Sequence, residues 1–455
     1  MPGHPRPPAG HLAADGAARR PVTRRGCGAA LLSGSAALAA AAGCAHFHDL
    51  PDGGAGAIED DLLFREAMAS APVLPGNKVT PIYGGRRTFR ALFREIEAAR
   101  DHVNLEFFIL QDVRLPGDTG PSLFDLLRRK LGQGVAVTII YDSIGSADTP
   151  RAALDSLRGA GANLLSFNPA NPFEARGAWR PNARDHRKIA IADGRVAGMG
   201  GVNFDPVYEN SCSNIPPDEP VESTDDACWA DVAIRVEGPA VAALQRLFLD
   251  TWGKQGGGPL PDRDWFPPTG QAGGTAMRVF GSEPGEGKPR FHVARLAAFA
   301  DARRTIRLCT GYFVPTLREI DELARAARRG VEVHLLLPGV TDTPPATHAQ
   351  RASYGPLLEA GVRIWEVKDS VLHAKIAVVD GAWSAVGSSN LDRRSVAWNN
   401  EVDAVLLGPE LGASLETAMG RVAARAEPVT LEGWRRRGVG QRFKELLAWP
   451  LTDLL

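Results

Sequence analysis

Histidine and lysine stand two residues apart twice in this chain. They occur as His186-x-Lys188 in HRKIAIAD (186–193) and as His373-x-Lys375 in HAKIAVVD (373–380). The chain holds only eight lysines among its 52 basic residues, so lysine at both matching sites departs from an arginine habit. An imidazole can attack as a nucleophile, or carry a proton as acid and base. An ammonium is a compact charge that can hold phosphate oxygens without obstructing in-line attack, whereas a guanidinium fork is larger and differently aimed. On a strand, residues i and i+2 share a face, so each histidine lies on the same side as its lysine. If the two pairs meet in one pocket with the amides of Asn203 and Asn390, the set suits a phosphodiester. Lysines and amides would stabilise charge on the non-bridging oxygens. One histidine would attack phosphorus. The other would protonate the leaving oxygen and then deprotonate the incoming hydroxyl.

A nucleophilic histidine needs its tautomer fixed by an acceptor at the other ring nitrogen. Asp231 and Glu401 are the candidates, since each lies seven residues before the glycine of a Gly-Pro pair. Asp193 and Asp380 complete the two motifs. They lie five residues beyond the lysines, on the opposite strand face, and read as structural acids that hold a tight Asp-Gly turn.

The motifs are parts of a longer repeat. Gly200-Gly201-Val202-Asn203 matches Gly387-Ser388-Ser389-Asn390 at the same 187-residue offset, and Asp205 matches Asp392. Upstream, GVAVTIIYD (134–142) parallels GVEVHLLLPG (330–339). NLEFFIL, VAVTIIY, NLLSF and KIAIA read as strands, while FRALFREIEAAR and VAALQRLFLDTW have helical spacing. The alternation predicts an α/β fold occurring twice, with mixed sheets covered by helices. The expected boundaries are 76–256 and 275–430, with a Gly/Pro-rich linker at 257–274, a further linker segment at 46–75 and a C-terminal segment at 431–455.

Net charge is −1, so attraction to a polyanion must come from local patches. Residues 1–45 read as an export signal: Thr23-Arg24-Arg25, then an uncharged run over 26–45. Ala41-Ala42-Gly43-Cys44 resembles a lipoprotein cleavage site, with Cys44 as the lipidated residue; the competing reading is an uncleaved, weakly apolar anchor. Cys212, Cys228 and Cys309 contain no C-x-x-C pair, which argues against zinc. Cys212 and Cys228 are either a disulfide or two free thiols.

The duplicated H-x-K-x4-D, each followed by G-[GS]-x-N, resembles the phospholipase D superfamily. RDHRKIAIADGRVAGMGGVNF, GYFVPTLREIDELARAARRGVEVHLLLPGVTD and LHAKIAVVDGAWSAVGSSNLDRRSVAWNNEV resemble its bacterial cardiolipin synthases. The resemblance covers about residues 76–455. It implies two homologous α/β/α sandwich domains about a pseudo-twofold axis, sharing one active site. It implies ping-pong transfer through a phosphatidyl-histidine, without metal or cofactor, that makes cardiolipin and glycerol from two phosphatidylglycerols. Lys188, Lys375, Asn203, Asn390, Gly201 and Ser388 would bind the phosphate. His186 would be the nucleophile and His373 the acid and base, although the near-symmetry leaves the two interchangeable. A phospholipase D releasing phosphatidic acid, and a phosphodiesterase or nuclease on the same fold, are the alternatives. The implied partners are membrane phospholipids and a membrane surface in the bacterial cell envelope, with no nucleic acid.

Residues 434–444, WRRRGVGQRFK, carry five basic and two aromatic residues and no acid. That composition suits an anionic lipid interface, or equally a basic tail packed on the domain.

Overall fold

Every position of the strand Lys188–Ala192 is buried, and its two faces enter different cores. Ile189 and Ile191 join one cluster, Ala190 and Ala192 another. The strand returns antiparallel as Val196–Gly200. At the turn Asp193 and Gly194 have φ of 52° and 61°, and Arg195 N–H donates to the Ala192 carbonyl at 3.0 Å. Two successive positive φ values match the right-handed twist of a hairpin, and aspartate followed by glycine tolerates them. Asp380 and Gly381, at 53° and 70°, repeat the turn in the second half. The Asp193 carboxylate accepts from the backbone N–H groups of Arg100, Asp101 and His102 at 2.9, 2.8 and 3.0 Å. Asp380 accepts in the same way from Arg303, Arg304 and Thr305 at 3.0, 2.7 and 2.9 Å. Each acid thus pins the segment leading into a central strand, His102–Phe107 or Thr305–Cys309.

The structure, a computed structural model, describes residues 55–115, 120–209, 229–284, 289–341 and 344–448. The first half's sheet runs inward from Asn163–Phe167 through Ala136–Asp142, His102–Phe107, Lys188–Ala192 and Val196–Gly200 to Val232–Glu237. The second half repeats that order: Arg363–Val367, Glu332–Pro338, Thr305–Cys309, Ile376–Val379, Trp383–Gly387 and Asn399–Leu407. Between them lie Leu74–Tyr83 and Thr275–Ser282, antiparallel, with Leu74 opposite Met277 and Asn77 opposite Thr275. They join the halves into one 16-stranded mixed sheet.

Three cores hold the layers together. Phe89, Phe124, Val137 and Leu157 sit between the first half's sheet and the helices Gly85–Ala98, Leu123–Gly132 and Arg151–Gly159. Phe291, Leu323 and Leu335 do the same for Arg290–Asp301 and Leu317–Arg328. The third core is common to both halves. Ile189, Ile234 and Phe248 pack in one cluster with Val378, Leu406 and Leu415, under the helices Ala240–Lys254 and Pro409–Ala423. Each such side chain, fully buried, contributes on the order of 2 kcal/mol, so this core bonds the two halves to each other.

The two sandwiches share one body: strand pairing and the third core place them in one compact unit from Ile58 onward. The segment read as a linker over 46–75 contains a helix, Ala55–Ser70. The Gly/Pro-rich join lies along the first half: Ala272 N–H donates to the Gly76 carbonyl at 2.8 Å, and the Trp265 ring lies 4.6 Å from that of His102. Glycine and proline bar a helix there, and the join is held to the first half by contacts such as these. Trp434, expected at a lipid interface or packed on the domain, is buried against Tyr354 with the Arg437 guanidinium 3.8 Å above its ring. The signal region with Cys44, and both Cys212 and Cys228, lie outside the described residues. Among the described residues no helix is long and apolar enough to cross a membrane.

Asp193→Ala would strip three N–H groups of their acceptor. Urea unfolding should show a loss of about 2 kcal/mol. An unchanged midpoint would contradict the anchoring role.

Candidate active site

Two very short ladders bring the motifs together. Arg184–Asp185 runs parallel to the start of Asn399–Leu407, with Arg184 opposite Asn399 and Asp185 opposite Asn400. The backbone N–H of His186 donates to the Asn400 carbonyl at 2.9 Å. One further step in register sets His186 beside Glu401. In the other half, Val371–Leu372 runs parallel to Trp229–Ala230, and His373 N–H donates to the Ala230 carbonyl at 2.8 Å. The next step sets His373 beside Asp231. Each histidine therefore meets an acid from the opposite half. His186 Nδ1 lies 3.1 and 3.0 Å from the two Glu401 carboxylate oxygens. His373 Nδ1 lies 2.7 Å from Asp231 Oδ2. With Nδ1 committed to a carboxylate, Nε2 is the ring nitrogen left for chemistry.

The two acids are supported differently. Glu401 is fully buried and receives the Ser388 hydroxyl at 2.5 Å and the Asn399 amide at 3.2 Å. Asp231 receives the Tyr208 hydroxyl at 3.2 Å and the Val232 N–H at 2.7 Å. Tyr208 OH also lies 3.0 Å from His373 Nδ1. Gly201 and Ser388, expected at the phosphate, instead serve these carboxylates. A Cβ on Gly201 would stand 2.1 Å from Asp231 Oδ1, so glycine there makes room for the acid. At the matching position the Ser388 hydroxyl reaches back to Glu401.

The lysines lie behind the histidines. Lys188 and Lys375 are 1% and 4% exposed. Each ammonium donates to the carbonyl of its own histidine, Lys188 to His186 at 2.5 Å and Lys375 to His373. A lysine has three donors, so this fixes each ammonium's position and leaves further donors. Burial pushes Lys188 down to about 7, with Glu401 opposing and Lys375 adding to the shift. Burial lowers Lys375 too. The Lys375 ammonium thus lies close enough to bear on Lys188. Burial also lowers His186, and takes His373 to about 4 with help from Lys375. Burial raises the Glu401 carboxyl, but the adjacent His186 and Lys188 outweigh it and hold the group below its ordinary value. The resting site thus favours neutral imidazoles beside an ionised glutamate, and an arriving phosphodiester anion would draw protons back onto these nitrogens.

His186 and His373 open on one cleft of about 380 Å³. Asn203 and Asn390 line it as well. Asn203 Oδ1 accepts from Ile109 N–H at 3.2 Å, and its side chain also bonds to Tyr208. Asn390 Oδ1 is buried without a hydrogen-bond partner, so that amide is not held by the protein through its oxygen. Asp193 and Asp380 are engaged with the backbone segments described above.

Several supporting residues are not readable from the repeat. Tyr208 has Ser395 at its matching position, and Asn399 precedes the aligned acid by two residues. Arg187 stands between His186 and Lys188, where the second motif has Ala374. Strand alternation turns it away from the cleft to a fully buried position, bonded to Thr251 at 2.6 Å, Glu106 at 3.3 Å and the Glu401 carbonyl at 3.1 Å. A buried arginine beside a catalytic candidate needs acceptors, and Glu106 in NLEFF was the available signal.

The chain has relatives among known proteins. Residues 296–422 match the family model described as "Cardiolipin synthase, PLD-like domain". The chain is 31% identical over 390 residues to a cardiolipin synthase of Geobacillus thermodenitrificans, covering 84% of this chain and 74% of that one. It is 33% identical over 374 residues to cardiolipin synthase A of Pectobacterium carotovorum, covering 81% and 74%. In fold it resembles the phosphatidylserine synthase of Haemophilus influenzae, with a TM-score of 0.64 at 13% identity over 87% of this chain and all of that one.

Two predictions test the site with a soluble phosphodiester. In the free protein, kcat/KM should fall towards alkaline pH in two stages, first because His373, lowered to about 4, must be protonated to serve as the acid, and again as Lys188 loses its proton above about 7. Lys188→Arg, which stays charged, should lower the rate and abolish the second stage. A parent profile flat from about pH 6 to about pH 9 would contradict this. Gly201→Ala should lower kcat at least about a hundredfold by displacing Asp231 from His373, and near-parental turnover would show that the close approach is unimportant.

Proposed function

The chain belongs to the cardiolipin synthase family of phospholipase D-like proteins, and from that membership we propose that it transfers a phosphatidyl group from one phosphatidylglycerol to another. The observation that carries this reading is the pair of crossed His–acid contacts opening on one cleft. Both imidazoles have Nδ1 on a carboxylate, so both have Nε2 available to the same phosphorus.

The steps balance as follows. The Nε2 lone pair of His186 attacks phosphorus, the bond from phosphorus to the glycerol oxygen breaks, and His373 Nε2–H protonates that oxygen. Glycerol leaves, and the phosphatidyl group is held on His186. A hydroxyl of a second phosphatidylglycerol then gives its proton to His373 as its oxygen attacks phosphorus and the P–N bond breaks. The product is cardiolipin, and both histidines return to their starting state. Glu401 and Asp231 each stabilise an imidazole that becomes positive during the cycle. Lys188, Lys375 and Asn390 bear on the non-bridging oxygens, where charge is greatest in the transition state. Asn203 acts on the substrate's side of the cleft through whatever its amide retains after Tyr208. The substrates place the protein's work at a membrane surface.

The full chain incubated with vesicles of labelled phosphatidylglycerol should yield cardiolipin and glycerol in equal amounts. Phosphatidic acid in place of cardiolipin would make it a hydrolase, and DNA cleavage without lipid turnover would make it a nuclease; either outcome overturns the proposal. His186→Ala and His373→Ala should each reduce turnover at least about a thousandfold.

A further inference from the structure

The C-terminal helix Val439–Ala448 has two unlike faces. Its inner face is docked. Glu445 and Ala448 are buried, and Ala448 clusters with Val314 and with Ala349 of the helix Pro344–Ala352. Glu445 accepts from Arg437 Nε at 2.9 Å. Its outer face is apolar and open. Val439, Phe443, Leu446 and Leu447 are 82%, 59%, 69% and 59% exposed. Spacings of four, three and one residues put these four on one side of a helix. Four of the thirteen large apolar side chains exposed among the described residues fall within these nine positions.

The chemistry of the flanks selects the occupant. Arg442 and Lys444 are exposed beside the stripe; Arg435 and Arg436, just before the helix, are paired with Glu359 and Glu432. The helix's one acid, Glu445, is turned inward. An apolar stripe edged by cations, with no exposed acid on the helix, complements the surface of an anionic bilayer. Position agrees. Val314 and Ala346 line the active-site cleft, so the helix that packs on Val314 stands one layer behind the cleft wall. Ile144 and Val207, which also line the cleft, are 53% and 39% exposed at its mouth.

We infer that the outer face of Val439–Ala448 lies in the surface of an anionic bilayer and holds the mouth of the cleft against it. This rests on the reading of the substrate as a phospholipid, which must leave the bilayer only by the depth of its headgroup to reach the histidines. The basic-aromatic signal of 434–444 is thereby divided. Trp434 and Arg437 fasten the segment to the domain, while Phe443, Arg442 and Lys444 face outward.

Hydrogen exchange of the full chain gives a readout local to this helix, whatever else binds lipid. With vesicles of equal phosphatidylglycerol and phosphatidylcholine, exchange over 439–448 should slow about tenfold, and with phosphatidylcholine alone much less. In the variant F443S/L446S that protection should vanish. Turnover of vesicular phosphatidylglycerol should fall about tenfold or more, while turnover of dihexanoyl-phosphatidylglycerol below its micelle concentration stays within about twofold of the parent. Unchanged exchange over 439–448 in vesicle-bound parent would overturn the inference. So would a parent dimer that the variant converts to a monomer, since the stripe would then be a self-association surface. Absence of turnover of the monomeric lipid by the parent would instead overturn the proposed function, and the exchange measurement would still judge the helix.

Discussion

The site depends on the register of two parallel ladders, each only two residues long. At one, Arg184 and Asp185 face Asn399 and Asn400; at the other, Val371 and Leu372 face Trp229 and Ala230. Both ladders end one residue before a histidine, and the next rung is an acid of the opposite half. A slip of one residue at either would turn the carboxylate to the other face of its strand. Such short ladders cannot hold register alone. The antiparallel pairing of Leu74–Tyr83 with Thr275–Ser282 and the core common to both halves hold it for them.

Symmetry in the backbone carries asymmetry in the side chains. Gly201 and Ser388 occupy matching places, and both act on the acids, one by vacating space and the other by donating a hydroxyl. The donor to Asp231 comes from Tyr208, where the second half has Ser395. Arg187 carries a buried guanidinium where the second half has Ala374. The His373 imidazole, pressed by Lys375 and burial to about 4, therefore sits in a different field from His186. That difference would let the two histidines take the unequal parts proposed for them.

Much of this was legible in the residues. The repeat exposed the two motifs, the strand order and the matched acids, because period-two alternation and a constant offset are local properties. Asp193 and Asp380 were separable from the chemistry by the same alternation. What escaped depends on three-dimensional closure. Nothing in the repeat says that Leu74–Tyr83 pairs with Thr275–Ser282, since edge strands are satisfied by whichever neighbour the fold supplies. Gly201 and Ser388 looked like phosphate ligands because spacing places them near the motif but does not tell which atom they face. Tyr208 reaches Asp231 across a short turn, Pro206–Tyr208, and no periodicity encodes that reach.

The crossing of the dyads also sets when the protein can act. His186 and its acid are 215 residues apart in sequence, and His373 lies 142 residues from its own. A chain emerging from the ribosome presents the first histidine long before Glu401 exists to orient it. The second histidine appears with Asp231 already made, but without a completed Asn399–Leu407 strand to close the central sheet. Under the proposed scheme both dyads would be complete only once the strand Asn399–Leu407 has been made.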